Sequence, residues 1–213
     1  KIPGLSLPDV EHAGEKIDLD ALTVESLYRY AGAPSGELET VVRAALHADD
    51  WRVQAAGADL AGRFAVVSVV DELLELFAKE GLELPYPRFK AHWARSKMNN
   101  ALSPGVDHSP DPELDPVRDA KGCRLRQAII IALGRIGDPR ACPALRRAMA
   151  EAKDHFLALS QVPIALARLN DREAIPVLRE KIQYFEINVR LHVNLALDYL
   201  EGKATDEALK GID

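Results

Sequence analysis

The amino-acid sequence predicts an all-α superhelix of stacked helix pairs, interrupted by one long central loop. Three observations carry that expectation. "IALGRIGDPRACPALRRAM", from Ile131 to Met149, is written again as "IALARLNDREAIPVLREKI", from Ile164 to Ile182, 33 positions later. In each copy an apolar helical run ends at Gly137 or Asn170, residues that tolerate the left-handed conformation of a helix C-terminus. An Asp follows at once, Asp138 or Asp171, able to cap a second helix, and Pro139 sits where a first-turn proline costs no hydrogen bond. The chain is 47% hydrophobic and 28% charged over 213 residues, enough to bury a sizeable core. A repeat of this period marks an array whose helix pairs hide their apolar stripes only against their neighbours.

Taken from the start, residues 1–18 read as a loosely held arm, and 19–213 as one helical domain. "DLDALTVESLYRYAG" places Leu22, Leu27, Tyr28 and Tyr30 on a first helix, with Thr23 as its cap and Gly32 as its stop. Two amphipathic helices follow, broken near Asp49 and Asp50. The segment from Val53 to Phe77 fits the duplicated template without a gap when Gly62-Arg63 is set against Gly134-Arg135 and Leu73 against Leu145. Its turn glycine is replaced by Ala65 and its capping Asp by Val66, so a different turn is expected there.

Residues 78–121 interrupt the array. They hold one basic helix, "YPRFKAHWARSKM", and then a loop over 99–121 with four prolines between Pro104 and Pro116. After the two strong copies, a last unit begins at Val189, sets Ala196-Leu197 against Ala165-Leu166, and closes with a short polar helix. The total expected is roughly ten or eleven helices.

The segments Leu125-Arg126, Ala132-Leu133-Gly134, Ile136-Gly137-Asp138, Arg140-Ala141 and Pro143-Ala144-Leu145 reproduce most of a motif that resembles "VR…A…ALG.IGD.RA.PAL". On these residues the chain resembles the HEAT repeats of the short, phycobilisome-lyase-like kind, best over 122–202. The resemblance implies a right-handed alpha-alpha superhelix, a HEAT-like solenoid, that displays side chains to a partner. Ankyrin repeats share the period and remain the alternative architecture, although their "TPLH" opening is missing; the tetratricopeptide signature is missing too.

The two cysteines, Cys123 and Cys142, are too few for a disulfide framework and match no zinc spacing, which suits free, buried thiols in a reducing compartment. No apolar run approaches the roughly twenty residues that cross a bilayer, and "KIPGLSLPDVEHAGEK" has no apolar signal core. A cytoplasmic protein without membrane attachment is therefore expected. Asp107, Asp111, Glu113 and Asp115 imitate the start of a calcium loop, but Pro112 and Arg118 stand where its glycine and bidentate Glu belong, so no metal and no cofactor is expected.

Charge is the main functional signal. The whole chain carries −6, yet residues 86–147 hold twelve Lys and Arg against six Asp and Glu. Within them Arg88, Lys90, Arg95 and Lys97 alternate with Tyr86, Phe89, His92 and Trp93. Cations among aromatics suit an acidic protein partner, a nucleic-acid strand or an anionic cofactor; packing of Phe89 and Trp93 on the array is the purely structural account. The acidic total disfavours nucleic acid.

Arg63, Arg135 and Arg168 share one template position near a helix C-terminus, where a cation favours the helix dipole and a structural role is expected. Arg146 and Arg179 share another, on the second helix. No "GxSxG", "HExxH" or phosphate-binding glycine loop is present, and His155 and His192 fall inside repeat helices. Some HEAT-like proteins excise DNA bases, and Trp51, Asp59 and Trp93 are the residues a site of that kind would draw on, but their spacing does not single them out. The expectation is a non-catalytic interaction module whose partner-binding surface combines Arg88, Lys90, Trp93, Arg95 and Lys97 with Arg140, Arg146 and Arg179. Two alternatives are a subunit of a chromophore lyase, as the resemblance implies, and a nucleic-acid-binding protein.

Overall fold

Thr23 opens the first helix as expected. Its side chain accepts the amide hydrogen of Ser26 while the Ser26 hydroxyl oxygen accepts that of Thr23, so two amides that the helix leaves without partners are satisfied reciprocally. In the computed structural model of the chain, residues 11–12, 15–16, 18–33, 35–79, 116–151, 160–182, 187–210 and 212 are described. Ten α-helices lie among them: α1 Val24–Arg29, α2 Ser35–Leu46, α3 Trp51–Arg63, α4 Val70–Ala78, α5 Pro116–Ile136, α6 Cys142–Glu151, α7 Val162–Arg168, α8 Ile175–Glu180, α9 Ile187–Leu200 and α10 Asp206–Leu209. The fold is all-α. Within the expected N-terminal arm, Glu11–His12 and Glu15–Lys16 pair as two antiparallel rungs.

α3–α4, α5–α6, α7–α8 and α9–α10 are the four repeated pairs. Their first helices stack in order, α3 on α5, α5 on α7, α7 on α9. Glycine permits the closest of these approaches. A Cβ placed on Gly62 would lie 2.8 Å from the Cα of Ala132, and one placed on Gly134 would lie 2.8 Å from the Cα of Ala165. The template position that holds glycine in one unit thus faces the alanine two places earlier in the next. Leu73, Leu145 and Leu178, equivalent in the second helices, are each fully buried. Burial of that kind stabilises by about 1.5–3 kcal/mol per side chain. A single apolar cluster runs from Leu27 to Leu209 through every pair.

Each pair turns through a residue with positive φ: Ala65 (49°), Gly137 (78°), Asn170 (50°) and Gly202 (78°). In three of them the next amide reaches five residues back, Val66 to the Ala61 carbonyl (2.9 Å), Asp171 to Leu166 (3.0 Å) and Lys203 to Asp198 (2.7 Å), the hydrogen bond of a Schellman stop. The expected deviation at Ala65 is therefore absent. The degenerate unit makes the same turn with an alanine held in left-handed backbone. Asp138 caps the following 3-10 turn through the Arg140 amide, whereas Asp171 makes no such bond and is buried instead.

The central interruption is shorter than expected at its far end. Helix α5 begins at Pro116 rather than after residue 121, because a proline in a first helical turn removes only an amide that has no acceptor there. Residues 80–115, which include the expected basic helix and most of the Pro-rich loop, lie outside the described residues.

Candidate functional site

Two groups of charged side chains follow from the stacking. The first is a ladder that ties each unit to the next. Arg140, in the turn before α6, grips Asp71 of α4 at 2.8 and 2.9 Å and its own cap Asp138 at 2.9 Å. Arg146, one turn into α6, lies 3.3 Å from the buried Asp171 of the next unit and also pairs with Glu173. Arg179 of α8 reaches Glu201 after α9 at 2.7 Å, and Lys203 holds the other oxygen of the same carboxylate at 2.5 Å. Ahead of these, Arg43 of α2 pairs with Glu72 of α4 at 2.7 Å.

Hydrogen bonds from the arginines hold Asp138 and Glu173 below the usual carboxylate range; Glu201 is lowered first by Lys203 and then by Arg179. Burial, then the negative charge of Asp171, pushes the Cys142 thiol up, and the side chain lies buried at the start of α6.

The second group lies along the C-terminal ends of the first helices, where the recurring arginines stand. Asp59 of α3 receives the Tyr28 hydroxyl (2.9 Å), Arg63 (2.9 Å) and Arg135 of α5 (3.4 Å). The Arg63 guanidinium also sits 5.8 Å from the Tyr28 ring centre. Arg168 of α7 donates to the carbonyls of Leu209 (3.1 Å) and Ile212 (3.3 Å), tying the last segment back across the array. Between these ends opens a cleft of about 410 Å³, lined by Arg135, Gly137, Arg168, Tyr199, Asp206 and Lys210 among others. The Tyr199 hydroxyl donates to Asp206 at 2.6 Å, and that bond pushes the phenol up.

Of the residues expected to bind a partner, Arg140, Arg146 and Arg179 fall on the ladder, each matched by carboxylates of the chain itself. Arg88, Lys90, Trp93, Arg95 and Lys97 lie outside the described residues. The recurring arginines Arg135 and Arg168 have the structural bonds expected of them and, in addition, wall the cleft. Sequence reasoning missed the cleft itself: its recurring arginines were visible, but Tyr199, Asp206 and Lys210 join them only through the fold.

His155 lies outside the described residues, and the His192 ring stands 2.7 Å from the Ser160 carbonyl as a structural partner. Trp51 packs against the core. Among the described residues no three of His, Cys, Asp and Glu are grouped to hold a metal, and no helix is long and apolar enough to cross a membrane.

Residues 125–151 match the family model of the PBS lyase HEAT-like repeat, which spans the second half of α5, its turn and α6. No curated protein matches the chain.

Proposed function

We propose that this chain, a HEAT-like repeat protein with its PBS lyase HEAT-like repeat at residues 125–151, is a non-catalytic scaffold that binds an acidic protein partner on its solenoid surface. One observation carries the reading. The units are locked at backbone distance through Gly62 and Gly134 and tied by ion pairs from unit to unit, so they present one continuous, stiff surface. A surface of that kind binds without ordering itself first, which lowers the cost of association.

The basic segment with Arg88, Lys90, Trp93, Arg95 and Lys97 supplies the attraction for an acidic partner. Arg140, Arg146 and Arg179 lie at the margin of that surface, already paired with carboxylates of the chain itself, and add little to the attraction. The test is affinity capture from native cell extract, comparing the intact chain with one in which Arg88, Lys90, Arg95 and Lys97 are changed to Glu. Loss of the captured partner with the variant supports the reading; equal capture by both removes the basic segment as the docking site.

The matched repeat favours a second reading, a subunit of a chromophore lyase, through the name of its family. Co-expression with a bilin and an acceptor protein decides it, because a lyase must change the visible absorbance of the acceptor.

A further inference from the structure

After the turn at Gly202 the chain runs back over the ends of the first helices, and little of it is buried. Between residues 203 and 210 only Leu209 is buried, while Lys203, Thr205, Asp206, Glu207 and Lys210 are exposed. Helix α10 is a single turn of four residues, and Thr205 makes no side-chain bond at its start. Leu209 enters the core, and Ile212, three positions on, packs against the same cluster. Arg168 donates to the carbonyls of these same two residues, and the Tyr199 hydroxyl holds Asp206. The segment is thus held as a bound peptide is held, by an anchor side chain in an apolar seat, a second anchor beside it, and a guanidinium on its backbone. It fills the seat incompletely: a cleft of about 410 Å³ remains, lined by Gly134, Arg135 and Gly137 of the array and by Asp206, Leu209 and Lys210 of the segment.

We infer that this seat at the ends of α5 and α7 is a docking groove for a peptide segment of a partner protein, one with a leucine and a branched aliphatic residue three positions on. Residues 203–210 and 212 occupy it in cis as an autoinhibitory strap. The strap is replaceable because its holding contacts are not peculiar to it: two apolar side chains of common type, and main-chain carbonyls that any segment carries. Its hinge is Gly202, at a φ of 78° that glycine adopts without cost. The next amides, of Lys203 and Ala204, both close on the Asp198 carbonyl at 2.7 and 3.0 Å, so the strap lifts beyond them while α9 stays intact. A tethered strap meets its seat at an effective concentration of roughly millimolar, so a partner segment enters only by outcompeting it. The inference goes beyond the scaffold reading, in which the basic segment recognises an acidic partner, and does not depend on it.

The test uses the full-length, ¹⁵N-labelled chain with Leu209→Asp, a carboxylate that cannot stay in an apolar seat, titrated with the N-acetylated peptide of residues 203–213 and followed by amide NMR. Saturable shifts at Gly134, Gly137 and Leu169 are expected, returning these amides toward their positions in the unchanged chain, with half-saturation at about millimolar peptide. Leu209→Ala, a milder change, is titrated in parallel and is expected to respond alike. The unchanged chain, its seat occupied, is expected to bind the peptide at least about tenfold more weakly. The same peptide with Leu209→Asp is expected to shift nothing. No saturable shift in either variant, or equal shifts with the peptide that lacks the leucine, overturns the groove. Equal affinity of the variants and the unchanged chain overturns the strap as its occupant. The scaffold reading is decided separately, by capture with the basic segment intact or reversed in charge, and stands or falls without reference to these titrations.

Discussion

Replacing Gly134 with Ala tests the stacking directly. In an ordinary helix the change stabilises by about 1 kcal/mol, because alanine loses less backbone entropy. Here the new methyl carbon would lie 2.8 Å from the Cα and 2.9 Å from the Cβ of Ala165, against roughly 3.5–4 Å at contact. Helices α5 and α7 must separate by roughly 1 Å, and overpacking of this size costs about 1–3 kcal/mol, so the expected net loss is about 0–2 kcal/mol. The obstacle is backbone, so Ala165→Gly in the same chain restores little.

Gly57 supplies the contrast. A Cβ there meets the Ala45 Cβ at 2.8 Å, but its next neighbours, backbone atoms, are at 3.5 Å. Gly57→Ala is therefore rescued by Ala45→Gly, with a coupling energy of about 1–2 kcal/mol. Urea unfolding followed by circular dichroism, run as two double-mutant cycles, measures both. If Gly134→Ala stabilises, or if Ala165→Gly rescues it fully, backbone contact does not set the spacing of the array.

Further expectations follow from the turns and the ladder. Ala65→Gly removes the cost of a left-handed alanine (φ 49°) and should stabilise by about 1 kcal/mol in the same urea assay; no gain would mean the turn is not strained. Arg146→Gln leaves the buried Asp171 without its cation and should destabilise by about 1–2 kcal/mol, with Arg147→Gln, an exposed neighbour, as the near-neutral control. Asp138, Glu173 and Glu201 are held below their usual range, so the stability they contribute is present above the unfolded carboxylate values and lost as pH falls through the folded ones. The triple variant Arg140→Gln, Arg146→Gln, Arg179→Gln should accordingly show a shallower loss of stability on acidification below about pH 4.5, and parallel curves would refute the assignment.

The repeat was legible because its signals are local. Gly137, Asn170, Asp138 and Pro139 each state a backbone geometry, and the two copies state it twice. Two elements were misread for the same reason. Ala65 and Val66 break the turn rule by residue type, yet α3 must leave its stack in the direction that Gly62 against Ala132 dictates, and tertiary packing imposes the turn on an alanine. Pro116 looks like loop punctuation but serves as a first-turn residue. The charged groups were half legible. Arginines recurring at one template position could be seen, but their partners lie in neighbouring units, as Asp59 lies 76 residues before Arg135. The cleft gathers residues from 134 to 210, and no short window of sequence contains it.

The position that permits close stacking changes character along the chain. Gly62 and Gly134 are followed by Ala167 at the same template place, and each belongs to a first helix that carries another upon it. In the last pair, with Ala196 set against Ala165, that place is Asp198. Its side chain is exposed, and no further helix stacks on α9 among the described residues. A carboxylate there cannot lose its water against a passing backbone without a cation or donors to replace it, and desolvating it costs far more than one helix contact returns. The Asp198 carbonyl also accepts the amides of Lys203 (2.7 Å) and Ala204 (3.0 Å), which swings the chain away into α10. Leu209 then enters the core and Arg168 binds the carbonyl of that residue, which brings Lys210 to the cleft. The burial of Leu209 and the placing of Lys210 at the cleft are, in this chain, consequences of the same turn.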